Sequence, residues 1–138
     1  GGPMLKAARG AIVLTSSTAG IYGYPNRAPY AAAKWGIIGL MKTLAMEWGP
    51  ESVRANAICP GAVEGPRMQG VMEREAAAKG TDVQHIYDGY ASGTSMRSLV
   101  TAEDIANMAV FLCSAGARLV SGQVIAVDGH TENPDPKV

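Results

Sequence analysis

The sequence predicts an α/β chain built on a parallel sheet, and three observations carry that prediction. Apolar runs of strand length at residues 11–15, 53–59 and 122–128 are separated by amphipathic helical stretches. That alternation belongs to strand-helix-strand units, whose helices cover the sheet. The second run ends in Pro60-Gly61, and ligands of open parallel sheets gather beyond such strand ends.

Taken in order, residues 1–9 read as the tail of something: Met4 to Ala8 suits the close of a helix, but the Gly-Gly-Pro before it does not suit a start. Ala11 to Thr15 is rich in β-branched residues, as in a strand buried on both faces. Gly20 to Arg27 is turn chemistry punctuated by Gly23 and Pro25. From Pro29 to Trp48 the period is helical, with Ile37, Ile38, Leu40, Met41, Leu44, Ala45 and Trp48 on a wide apolar surface. Gly49-Pro50 ends it. Gly36 and Gly39 cost up to about 1 kcal/mol each against Ala inside a helix, so close packing is their expected use. A helix over Met68 to Lys79 follows, then a stretch capped at Thr81 or Asp82. Thr101 to Asp104 has the spacing of a capping box, and Ile105, Met108, Ala109, Phe111 and Leu112 form an apolar face behind it. Gly122 to Asp128 is the third strand, and Thr131 to Val138 reads as a loose tail.

Composition narrows the functional classes. The chain has 138 residues, 47% hydrophobic and 17% charged, enough for one core. Its net charge is zero, which leaves no electrostatic footprint for nucleic acid or an anionic membrane. No apolar run reaches the roughly 18 residues that span a bilayer, and the expected setting is cytoplasmic. Cys59 and Cys113 are the two cysteines and His85 and His130 the two histidines, without metal-ligand spacing. Both cysteines read as reduced and structural, and no metal is expected.

The chemistry concentrates between Thr15 and Leu44. Tyr30 and Lys34 stand four apart, so on a helix opened by Pro29 they share a face one turn from each other. A free Tyr titrates near 10, and an adjacent positive charge favours its phenolate. Ser17, thirteen residues before Tyr30, sits where a loop returns a hydroxyl over the helix start. A Ser and a Tyr converging on one alcohol or carbonyl oxygen, with Lys behind the Tyr, suit proton transfer coupled to hydride transfer. Each residue also has a plainer use: Ser16 and Ser17 as turn caps, Tyr30 as a half-buried aromatic, Lys34 as a solvated helix residue.

The segments TSSTAG, YAAAK and NAICPG, in this order, resemble the short-chain dehydrogenase/reductase family from about Lys6 to His130. The resemblance implies the second half of a doubly wound parallel-sheet Rossmann fold, with residues 1–130 as its catalytic half and 131–138 as a tail. It implies an NAD(P)-dependent oxidoreductase interconverting an alcohol and a carbonyl, with Ser17, Tyr30 and Lys34 catalytic and NAD or NADP as cofactor. Tyr30 and Lys34, with Pro60, Gly61 and Val63, then hold the nicotinamide end. Residues 66–93 become a substrate lid in which Met68, Met72, Tyr87 and Tyr90 line a pocket, and His85 is structural. Self-association through the helix around 29–48 is expected, with Met41 and Met46 outward.

This sequence departs from the family in carrying Gly65 where Thr is usual. The family's additional relay Asn has no counterpart upstream of Ser17, and no G-x-G-x-x-G motif occurs. Two other readings therefore stand beside the first. One is a non-catalytic fragment or interaction module lacking the dinucleotide-binding half. The other is an epimerase or lyase using the same Tyr/Lys pair on a sugar nucleotide.

Overall fold

The computed structural model describes residues 3, 4, 7 and 9–136. The expected helix end at residues 4–8 falls largely outside them. Strand β1 (Ala11–Thr15) leads through a short 3-10 turn to helix α1 (Ala28–Trp48), and β2 (Arg54–Pro60) follows. Next come α2 (Pro66–Lys79), α3 (Val83–Ser92), α4 (Ala102–Cys113) and β3 (Val124–Val127). The strands form one parallel sheet in the order β1-β2-β3, with Ala11 opposite Arg54 and Ala57 opposite Val124.

The core lies between α1 and the sheet. Ile38 and Met41 pack on Ala55, Ala57 and Cys59, with Ile12, Leu14, Leu44 and Val124 closing the edges. Small residues on β2 let the helix come close. Asn56 and Ile58 point to the opposite face by strand alternation and are also buried, so the central strand is covered on both sides. Asn56 is the buried polar residue of this strand, and its side chain explains why. Its amide donates to the Val120 carbonyl (2.9 Å) and its oxygen accepts from the Gln123 N–H (3.1 Å). Ser121 accepts from the Ala55 N–H, and Gly122, at a φ of 72°, donates to the Ala55 carbonyl. The Ser-Gly-Gln turn is thereby sewn to β2 before β3 begins.

Several expectations are corrected here. Met41 is fully buried, because it shares the sheet-facing stripe with Ile38 and Ala45, whereas Met46 is 80% exposed. Gly36 and Gly39 make no close packing within the chain; a Cβ at either would meet nothing within 4 Å, since both lie on the face turned away from the sheet. On α4, Leu112 is buried and Ile105, Met108 and Ala109 are partly covered, but Phe111 is exposed. Positions 105, 108, 109 and 112 form one stripe, and 111 falls outside it. Cys113, the last residue of α4, is exposed rather than packed.

Residues after Gly129 do not trail loosely as far as Pro136. Glu132 and Asn133 donate to the Gly93 carbonyl at the end of α3, and the Tyr22 hydroxyl donates to the Thr131 carbonyl. The capping box on α4 is as expected: Thr101 accepts from the Asp104 N–H, and the Asp104 carboxylate accepts from the Thr101 N–H. No described helix is long and apolar enough to cross a membrane.

Removing the buried Asn56 side chain leaves the Val120 carbonyl and the Gln123 N–H without these partners, a loss of about 1–3 kcal/mol. Asn56→Ala is expected to lower the urea midpoint accordingly, and an unchanged midpoint would discard the stapling role.

Candidate active site

The site forms where β1 and β2 end. Ser16 continues the ladder by donating its N–H to Ile58, then turns its hydroxyl to the Lys34 carbonyl at 2.8 Å. Gly20 makes this contact possible, because a Cβ there would collide with Ser16 Oγ and crowd the Lys34 carbonyl. Ser17 caps the 3-10 turn, accepting from the Ala19 N–H at 3.1 Å, so its own proton is left to donate. Pro29 sits in the first turn of α1, and one residue later Tyr30 is 39% exposed. Lys34 Nζ stands 5.6 Å from the centre of the Tyr30 ring and donates to the Thr15 carbonyl at 3.5 Å.

Across the crevice, Pro60 ends β2 and the Gly61 N–H donates to Val127. A Cβ on Gly61 would lie 2.9 Å from the Asp128 Cβ, so the chain passes here only as glycine. Asp128 is buried, and its carboxylate accepts from the His130 and Thr131 N–H groups and from the Thr131 hydroxyl (2.6 Å). Val63 makes a parallel bridge to Val100. Gly65 has a φ of 152°, a conformation open to glycine and strained for the Thr usual in the family.

One cavity of about 550 Å³ joins these pieces. Ser17, Tyr30, Lys34, Pro60, Gly61 and Val63 all line it, so every expected site residue converges on one space. Its size is that of a small-molecule site. The lid expectation is half met. Met68 and Tyr90 reach the cavity, whereas Met72 is buried with Ala76 and Ile86 in the core between α2 and α3, and Tyr87 packs against it.

The Tyr87 hydroxyl donates to Glu64 (2.7 Å) and that of Tyr90 to Glu75 (2.9 Å). The Glu64 carboxylate raises the Tyr87 pKa, and burial, with Glu75 behind it, raises that of Tyr90, so both phenols stay protonated donors. Burial pushes the Cys59 thiol up as well, which suits an inert core residue. His85 is exposed, and its N–H is taken by the Asp82 cap. No cluster of metal-ligating side chains occurs among the described residues.

Sequence reasoning missed Asp128, Thr131, Tyr24 and the two arginines that also line this cavity, Arg27 and Arg67. The Asp-Gly that closes the third strand was the one visible signal.

Known proteins align with this layout. A family model described as enoyl-(acyl carrier protein) reductase matches residues 1–130. The chain is 37% identical over 127 residues to a 3-oxoacyl-acyl-carrier-protein reductase of Chlamydia muridarum, covering 92% of this chain and 47% of that one. Among solved structures, an oxidoreductase of the short-chain dehydrogenase/reductase family from Burkholderia thailandensis superposes with a TM-score of 0.77 at 34% identity, covering 91% of this chain and 46% of that one. L-sorbose reductase from Gluconobacter frateurii, solved with NADPH and L-sorbose, gives 0.87 at 26% identity, covering 94% and 50%. The chain thus spans about half the length of the relatives it matches. The family-model match over residues 1–130, together with these relatives, makes this chain a member of the short-chain dehydrogenase/reductase family.

Proposed function

We propose that residues 1–130 form the catalytic half of an NAD(P)-dependent oxidoreductase that interconverts an alcohol and a carbonyl. The observation carrying this reading is the convergence of Ser17, Tyr30, Lys34, Pro60, Gly61 and Val63 on one cavity at the strand ends. A relative solved with NADPH supports the cofactor class. The nicotinamide end fits the residues present: the Gly61 turn, where a Cβ would strike Asp128, is kept bare of side chain. Pro60, Gly61 and Val63 would hold the ring, and Lys34 the adjoining ribose. When bound, the group supplies or accepts the hydride.

The chain's own residues handle the proton. The Ser17 hydroxyl donates to the substrate oxygen and fixes its position. In the oxidative direction Tyr30 Oη, as phenolate, takes the proton of the substrate hydroxyl; in the reductive direction the phenol returns it to the carbonyl oxygen. Lys34, 5.6 Å from the ring centre, places a positive charge beside the phenolate while it exists. Ser16 is a positioning residue, since its hydroxyl proton is given to the backbone carbonyl of Lys34.

A non-catalytic role remains the competing reading on one observation, the lack of a G-x-G-x-x-G turn to hold a pyrophosphate. We place the protein in the cytoplasm and expect self-association through α1. Leu40 and Met46 are exposed on the face that carries Gly36 and Gly39, where missing side chains permit a second helix to approach closely.

Tyr30→Phe is expected to cut turnover by about 10²- to 10⁴-fold with KM little changed. Near-normal turnover with a saturating alcohol or ketone would remove Tyr30 from the mechanism.

Titration of reduced-cofactor fluorescence separates the two readings for the 138 residues by themselves. No tight NAD(P)H binding is expected without a pyrophosphate cradle. Micromolar binding would mean that a partner copy or a loop of this chain supplies it.

Met46→Glu, on the outward face of α1, is expected to lower the particle mass seen by light scattering. An unchanged mass moves the interface off this helix.

A further inference from the structure

Among the described residues, five charged ones line the cavity: Arg27, Lys34, Glu64, Arg67 and Asp128. Both carboxylates are engaged, Glu64 by the Tyr87 hydroxyl and Asp128 by Thr131 and the His130 N–H. Lys34 donates to the Thr15 carbonyl. That leaves two guanidinium groups. Among the described residues neither Arg27 nor Arg67 has a carboxylate partner.

They approach from different elements. Arg27 precedes Tyr30 by three residues at the start of α1, with its guanidinium carbon 5.8 Å from the centre of the Tyr24 ring, which also lines the cavity. Arg67 stands in the first turn of α2, on the lid side. Unneutralised positive charge in a partly enclosed cavity favours an anionic occupant, and a guanidinium fork matches a carboxylate or a phosphate.

We infer that Arg27 and Arg67 select substrates that carry an anionic group, a carboxylate or a phosphate ester, in addition to the alcohol or carbonyl that reacts. The inference rests on the reading of Ser17 and Tyr30 as the reacting end. The apolar side chains of Met68 and Leu99, which line the same cavity, then accommodate the carbon skeleton between the two ends.

The test is calorimetric titration of the protein expressed from its complete coding sequence, in the presence of NAD(H) or NADP(H). The probes are hydroxy acids of about three to eight carbons, a span suited to a cavity of this class, together with their uncharged methyl esters and phosphorylated hydroxy compounds. At least one acid or phosphate ester should bind about ten- to hundredfold more tightly than its neutral counterpart, the gain of a charge-assisted hydrogen bond. The double substitution Arg27→Gln and Arg67→Gln should erase that preference and leave the neutral counterpart unchanged; both side chains are exposed, so folding is not at stake.

A preference that survives the double substitution, or no preference with any probe, overturns the inference. So does a loss confined to NADP(H) affinity, which assigns the guanidinium groups to a cofactor phosphate. A charge preference that vanishes with the arginines in a protein that turns over no probe upholds the anion site and refutes the oxidoreductase reading, so the two failures are distinguishable.

Discussion

Ser16 donates its hydroxyl proton to the carbonyl of Lys34 across 2.8 Å, and this bond sets where β1 ends relative to α1. A typical hydrogen bond contributes about 1 kcal/mol net, but one left unmade in a buried place costs about 1–3 kcal/mol. The contact also has a steric condition, since only a glycine at position 20 leaves room for the hydroxyl. Ser17 and Thr18 then have no choice of path, and the 3-10 turn delivers the Ser17 hydroxyl to the cavity that Tyr30 and Lys34 line. The interaction is silent chemically and decisive geometrically.

The second side of the crevice obeys a similar constraint through different chemistry. Gly61 passes within van der Waals limits of Asp128 because it has no side chain, and Asp128 is itself held by three donors from His130 and Thr131. Asn56 performs the same service one layer deeper, tying the turn before β3 to the central strand. The strand ends are thus fixed by bonds between segments about 65 residues apart in sequence. A rim fixed in this way is what the proposed proton transfer requires, because misplacement by about 1 Å can cost on the order of 10²-fold in rate.

The lid is a separate small packing unit. Met72, Ala76 and Ile86 bury one another between α2 and α3, and Gly80, at a φ of 67°, with the Asp82 cap turns the chain between them. It is tied to the body by the Tyr87 to Glu64 bond and by the seam of residues 132–133 on Gly93.

Patterning along the chain was sufficient for the strands, the long helix and the Asp104 capping box, and it singled out Ser17, Tyr30, Lys34 and Pro60-Gly61, which line one cavity. Each of these follows from neighbours within about one turn or one strand, where periodicity and caps act. Membership of the short-chain dehydrogenase/reductase family was legible for the same reason, from short segments in order. What only the tertiary structure decided depends on which face of an element meets which other element. Met41 and Met46 look alike in sequence, yet one is core and the other solvent-facing. Met72 belongs to the lid's interior while Met68 reaches the cavity. Arg27 and Arg67 lie forty residues apart, one capping the start of α1 and the other in the first turn of α2. Their shared cavity exists because parallel strands bring both helix starts to the same edge of the sheet, and sequence periodicity carries no information about such a meeting.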